Sequence, residues 1–561
     1  MNRRQALQLA ALTGLSPALG ARPRDGGRGG GSSPRLQPFV QPLPYPPPPI
    51  PVAPFKPSAV ATRHLQALGA AAALANYTTL IQEEADVSLH PDLPLTRVWR
   101  YRDINAPESS PYLCGPTYIA RSGIPQVVRH LNRLPSNHVG FGVPYTTTHY
   151  HGGHIMPIFD GFPESVSDLE MPTVIGPGEQ FDYLYGMQAP GFDRGTPDVT
   201  ECPSTQWYHD HMLDFTGPNV YRGLAAFYLV FDDLDTGDEN TGLRLPSGPF
   251  DVPMVLQDRR IGRDGQLIYL PEDFNGFLGD QMVVNGAIQP YLNVQRRKYR
   301  FRFLNGANAR FFLMRLTDDE NRHPVSFDVI GTDGGLMARP MRGQSSMFIG
   351  PAERVEIVVD FSRFPSGTRL YLTDFIRQDS GRGPGGDYEH PDEVSVDDGK
   401  RLVEFRVTGG SVPDPSRVPD ELRMFQPIPQ EKLDAAERRH FEFERTGGAW
   451  AINGEFVDLT RPLARIRMDR PQIWTFKNGG GGWWHPVHTH IEMGRVLRRN
   501  GRTAGLMESD GSAKKDDIIL SGGDEVEVYF DFRDYTGMSV FHCHNLEHED
   551  HFMMGRFDII P

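Results

Sequence analysis

Cysteine is nearly missing. Three residues, Cys114, Cys202 and Cys543, in a chain of 561 leave no disulfide framework, so packing must hold the fold together. Cys114 and Cys202 either form one bridge or sit apart as small buried hydrophobes, while Cys543 lies inside a histidine cluster. Positive charge is also in deficit: 57 Lys and Arg against 71 Asp and Glu give a formal charge of -14. That balance disfavours nucleic acid and anionic membranes as partners, because both need a concentrated basic face. No apolar stretch is long enough to span a bilayer stably. Sustained amphipathic helices are scarce, with only Ser58 to Leu80 and the shorter Gln430 to His440 carrying that pattern. What the chain does have is 59 Gly and 49 Pro, which separate short runs such as Lys298 to Phe303, Arg354 to Phe361 and Glu525 to Phe532. Those runs predict strands, and the chain is too long for one core, so an all-β protein of several domains is expected.

Composition divides the chain further. Arg3-Arg4 followed by the apolar stretch to Ala21 predicts an export signal over 1–25, of the twin-arginine type that carries folded proteins to the periplasm or the exterior. Residues 26–57 are Gly/Ser-rich and then Pro-rich, a composition that predicts a disordered tether. Three β-sandwich domains are expected after it: 58–234 with a helical lead-in, 240–410, and 425–561, the last two joined by a linker over 411–424. The acidic, Gly-rich stretch Gln378 to Lys400 predicts a surface loop.

Ten of the 19 histidines fall in four short clusters, each containing His-x-His. They are His149 and His151; His209 and His211; His485, His488 and His490; and His542, His544 and His548, with Cys543 between the first two of the last set and Met553 after it. On a strand, residues two apart share a face, so each pair aims two imidazoles at one place. Imidazole alone does not choose among zinc, copper, iron and nickel. Cys543 does: two histidines, one thiolate and a weak axial methionine make a blue-copper electron-transfer site, and His485, Cys543, His548 and Met553 supply that set. If Cys543 faces that copper, His542 and His544 face the other side of the strand and can serve a second, multi-copper site.

With these clusters in this order the chain resembles the multicopper oxidases, and more closely the branch of bacterial spore-coat laccases and bilirubin oxidases. The similar segments are His542 to Met554, Gly482 to His490, and Trp207 to His211 with Asn219 to Leu224 after it; the resemblance covers about residues 95–561. It implies three cupredoxin-like domains, a copper-free middle domain, and four copper ions. His149 and His488 would bind the type 2 copper; His151, His209, His211, His490, His542 and His544 the type 3 pair; and His485, Cys543, His548 and Met553 the type 1 copper. Met554 is a rival axial group whose other reading is packing. Asp160 and Glu549 match acidic positions that the family places near the proton route to oxygen, and the alternative for each is an ordinary surface carboxylate. His154 and His551 are expected to support the ligands or lie at the surface, and His64, His90, His130, His138, His323, His390 and His440 to be ordinary polar residues.

The implied activity is four-electron reduction of O2 to water, with single electrons drawn from a small phenolic, aminophenolic or pigment donor that docks at the solvent-facing edge of His485 or His548. A monomer is expected, with neither nucleic acid nor membrane as partner. Two rivals stand beside this reading. A cuprous oxidase for copper tolerance would present methionine-rich loops, whereas the 18 methionines here are dispersed. A non-catalytic cupredoxin scaffold of the cell envelope would have lost ligands that this sequence keeps.

Overall fold

The computed structural model describes residues 32–195, 197–270, 273–319, 323–468, 470–509 and 511–561. Six β-sheets form three sandwiches in chain order. In the first, a sheet of Thr96–Asp103, Asn76–Val87, Gln126–Asn132 and Gln180–Tyr185 packs on one of Tyr118–Arg121, Ala225–Phe231, Thr205–Asp210 and Thr148–His151. An eight-stranded and a five-stranded sheet make the second, between Asp251 and Ser411. The third pairs a six-stranded sheet with a five-stranded one that runs Ala464–Arg467, Met554–Ile560, Gly537–Cys543, His485–Thr489, Asp517–Leu520. Each sandwich has its own apolar core, centred on Val127 and Tyr228, on Phe301 and Phe405, and on Trp474 and Phe541. This is the all-β, three-sandwich architecture expected from the strand rhythm.

Local departures have physical causes. The helix expected over Ser58 to Leu80 is capped by the Ser58 hydroxyl but ends at Ala67, and Gly69 at a φ of +60° opens a 3-10 turn. From Asn76 the aromatic and β-branched run Tyr77-Thr78-Thr79-Leu80-Ile81 belongs to a strand paired on both edges. Gln430 to His440 likewise keeps one helical segment, Gln430–Ala435, before Glu437–Thr446 pairs in parallel with Gln472–Asn478.

The tether expectation does not hold for residues 32–57. Phe39 and Leu43 donate backbone N–H bonds to the carbonyls of Gln289 and Tyr291, Val52 to that of Tyr77, and Ile50 to the Asp103 carboxylate. Leu43 packs on the core of the second sandwich. An extended, proline-rich chain has no internal hydrogen bonds, so its backbone groups are free to bond a sheet edge, and this one forms a strap across two sandwiches. The export-signal residues 1–25 lie outside the described residues. The possible disulfide is also corrected: Cys114 and Cys202 are separate buried thiols in different apolar clusters.

Candidate metal centre

Strand register brings the histidines together. Thr148–His151 pairs antiparallel with Thr205–Asp210, which sets His149 opposite His209. In the third sandwich His485–Thr489 lies between Asp517–Leu520 and Gly537–Cys543, with Val487 opposite Cys543 and His488 opposite His542. Alternation then turns Val487 and Cys543 into the sandwich core and His488 and His542 toward the first sandwich. All ten motif histidines are buried.

Nine of the nitrogens facing one another between the first and third sandwiches lack an ordinary partner, and they fall into three groups. His149 and His488 donate from Nδ1 to the backbone carbonyls of Asp160 (2.6 Å) and Asp516 (3.0 Å), so their Nε2 lone pairs face each other at 3.3 Å. His490 donates from Nδ1 to Asp160 Oδ2 (2.7 Å) and His542 from Nδ1 to the Cys543 carbonyl (3.1 Å). This leaves the Nε2 atoms of His211 and His490 3.1 and 3.2 Å from that of His542. In the third group His151 Nδ1, His209 Nε2 and both nitrogens of His544 are buried with no hydrogen-bond partner. The rings of that last trio lie 5.2–5.7 Å apart. Burial holds His209, His488, His490 and His544 well below the usual imidazole range and His211 at about 3, so the rings are neutral. Neutral imidazoles whose lone pairs converge in a buried space repel one another until a cation is shared between them, and that is the donor set of bound metal.

The second site lies on the other face of the same strand. Cys543 Sγ is 3.6 Å from Nδ1 of both His485 and His548, and those two nitrogens are 3.2 Å apart. Burial pushes the free thiol well above its ordinary range, so a thiolate here requires a metal. Met553 shares the Cys543 core cluster, whereas Met554 packs in a separate one with Phe162 and Leu213. The expected solvent-facing imidazole edge is corrected: His485 and His548 are fully buried, and His548 Nε2 meets the Asn275 carbonyl of the middle sandwich at 3.1 Å. Trp450 lies over the His548 ring, with centroids 3.9 Å apart.

Asp160 and Glu549 are buried, so neither is the surface carboxylate of the alternative reading. Asp160 touches His149 and His490, and a Cβ on Gly161, at a φ of +79°, would collide with the Thr148 carbonyl, so glycine lets Asp160 come this close. Burial raises the Asp160 pKa, with His149 opposing it. Glu549 Oε2 is 3.1 Å from His542 Nδ1 and Oε1 is 3.5 Å from His211 Nδ1; against the burial that would raise its pKa, His542 and His211 hold it below the usual value.

Sequence reasoning missed Asp516, Asp517 and Arg354. His151 Nε2 lies 3.0 Å from Asp517 Oδ2, and Arg354 of the middle sandwich grips Asp516 at 2.6 and 2.8 Å and Asp517 at 2.9 Å. Lys514-Lys515-Asp516-Asp517 looks like a solvated charge run; its one signal is the apolar Ile518-Ile519-Leu520 directly after it, which continues a buried strand. His154 stands away from the clusters, bridging Asp534 (2.9 Å) and Glu492 (3.3 Å), and His551 Nδ1 is satisfied by the Glu547 carbonyl. Among the remaining histidines, His130 bonds Thr148 within the first core and His323 pairs with Asp318 in the second sandwich.

Known proteins resemble this chain in sequence and fold. The family model described as multicopper oxidase matches residues 426–561. A bilirubin oxidase of Albifimbria verrucaria is 34% identical over 451 residues, covering 79% of this chain and 71% of that one. A laccase of Haloferax volcanii is 33% identical over 591 residues, covering 99% and 90%. Among solved structures, the McoA multicopper oxidase of Aquifex aeolicus superposes with a TM-score of 0.70 at 25% identity, covering 86% of this chain and 96% of that one. The histidine clusters are those of type 1, type 2 and type 3 copper sites. With a sequence relation that spans nearly the whole chain and donor sets to match, this protein belongs to the multicopper oxidase family, as a copper oxidase similar to laccases and bilirubin oxidase.

Proposed function

We propose that the protein takes single electrons from phenolic, aminophenolic or pigment donors and commits four of them to one O2, giving two waters. The observation that carries this reading is the back-to-back strand: Cys543 closes one site with His485 and His548 while its neighbours His542 and His544 close the other. His149 and His488 would hold the type 2 copper, and His151, His209, His211, His490, His542 and His544 the type 3 pair. His485, Cys543 and His548, with Met553 beside them, would hold the type 1 copper. Copper supplies the electron transfer and the reduction of O2 when bound. The chain's own contribution is geometric and protic. Cys543 is covalently joined to His542 and His544, so one tripeptide links the two sites. Carbonyls of Asp160, Asp516 and Asp210 fix the imidazole tautomers of His149, His488 and His209. The carboxylates of Asp160 and Glu549 hold and pass protons beside His490 and His542, which cannot release their own while bound to metal. The middle sandwich contributes no histidine to either site and would be copper-free.

Oxygen uptake by the copper-loaded protein with 2,6-dimethoxyphenol tests this. Four donors oxidised per O2 without hydrogen peroxide is the expected outcome; no uptake, or peroxide as the product, contradicts it. We further propose a monomer, exported folded to the periplasm or exterior on the strength of Arg3-Arg4 and the apolar residues after them; unchanged localisation on replacing that pair by Lys-Lys would count against the route.

A further inference from the structure

Above the buried type 1 ligands, the surface is aromatic and locally basic. Trp450 lies on His548 and within 5.5 Å of His485, and Trp483, partly exposed, meets Trp450 edge-on at 5.4 Å. Two exposed arginines flank the pair. The Arg382 guanidinium sits 4.1 Å over the Trp483 ring, and that of Arg445 lies 5.2 Å from Trp450 and 5.5 Å from Trp483. Both are held in place by neutral acceptors, Arg382 by the Gly481 carbonyl at 2.7 Å and Arg445 by the Gly448 carbonyl at 3.2 and 3.3 Å. Among the described residues neither makes an ion pair, whereas many of the other described arginines do. The two also feel each other: burial and then the charge of Arg382 hold Arg445 below its ordinary pKa.

A protein of net charge -14 repels anions at long range, so two uncompensated guanidiniums at the electron entry are a local exception. The loop that carries Arg382 is otherwise acidic, with Asp379, Asp387 and Glu389 exposed, so the feature is not a broad basic face. It suits one small anionic group. A carboxylate or sulfonate between the guanidiniums relieves their repulsion and takes two charge-assisted hydrogen bonds, while an attached ring lies against the indole of Trp483.

Resting on the oxidase reading above, we propose that Arg382, Arg445 and Trp483 form a donor-docking site selective for aromatic anions, phenols that bear a carboxylate or sulfonate, over neutral and cationic donors of the same ring. Trp483 and Trp450 then stand between the docked ring and His548.

The test compares holoprotein and the variants Arg382→Gln, Arg445→Gln and their combination with two donors, syringate and 2,6-dimethoxyphenol, which share a ring and differ by the carboxylate. Taking the ratio of their kcat/KM values within each protein and comparing it between proteins cancels the difference in donor potential. The ratio is expected to fall about two- to fivefold per arginine removed, the size of an exposed ion pair, and to recover in the Arg→Lys variants. A second readout needs no turnover: saturation-transfer NMR of 3,4,5-trimethoxybenzoate, which has no phenolic hydrogen to lose, should show binding to the parent and its loss in the double variant. A ratio unchanged in the double variant, whether the two donors keep their rates or lose them equally, together with equal benzoate binding, would overturn the site. Absence of turnover with the neutral donor in the parent would instead count against the oxidase reading, and the benzoate binding would still decide this one.

Discussion

At the level of single residues, Asp160 and Glu549 carry the sharpest claim. Each sits against two of the clustered imidazoles, yet the balance of burial against those contacts differs: burial prevails at Asp160 and raises its pKa, while His542 and His211 prevail at Glu549 and lower it. One is thus disposed to hold a proton and the other to stay ionised. Asp160→Asn and Glu549→Gln preserve shape and most hydrogen bonding while removing the titrating proton. Copper content and blue colour should persist, anaerobic reduction by donor should remain near normal, and steady-state turnover with O2 should fall roughly tenfold or more. Rapid-mixing kinetics with and without oxygen separate these steps, and full turnover in both variants would reduce the pair to structural acids. The ten histidines and Cys543 stand out in the sequence because strand alternation makes short spacing equivalent to spatial convergence, whereas Asp160 and Glu549 stand out only through the family resemblance. Arg354 and Asp517 do not stand out. Their partners are 162 to 366 residues away in the chain, and a buried salt-bridge network has the same composition as a solvated charge run.

Among the elements, the strap over residues 32–57 shows where composition misleads. Proline content gives the right backbone, extended and without helix, but says nothing about whether a sheet edge is waiting for it. Here Pro42 bridges to Tyr291, Leu43 enters the second core, and Phe39 leans on Tyr371 with ring centroids 5.5 Å apart. The same limit applies at Ser58 to Leu80, where helix propensity is real up to Ala67 and then loses to pairing on both strand edges. If the strap is bound as described, Leu43→Ala should cost about 1–2 kcal/mol, the transfer energy of a partly buried leucine side chain. Chemical denaturation measures this, and hydrogen exchange should show the Phe39 and Leu43 amides protected in the parent. Unprotected amides with no loss of stability would return this segment to a free tether.

For the whole molecule, the proposed function depends on the first and third sandwiches keeping a fixed separation, since each supplies half of the histidines that face one another between them. Besides metal, His154 ties them, reaching from the loop after His151 to Asp534 and Glu492. Burial alone would lower its pKa, but Glu492 and Asp534 raise it to about 9 from an ordinary 6.5. A raised imidazole pKa means stability that is complete below 6.5 and lost as pH climbs through about 9. The metal-free protein should therefore lose a few kcal/mol over that window, and His154→Gln should flatten the profile there. A parent and variant with the same slope between those values would remove His154 as the clamp. The central claim concerns the metals that span this interface, and copper analysis of the holoprotein beside Cys543→Ser tests it most directly. The account predicts four copper ions per chain and a blue thiolate band in the parent, with one copper and the band lost in the variant while three coppers remain. Zinc in the parent, or a variant that stays blue with its copper complete, would contradict it.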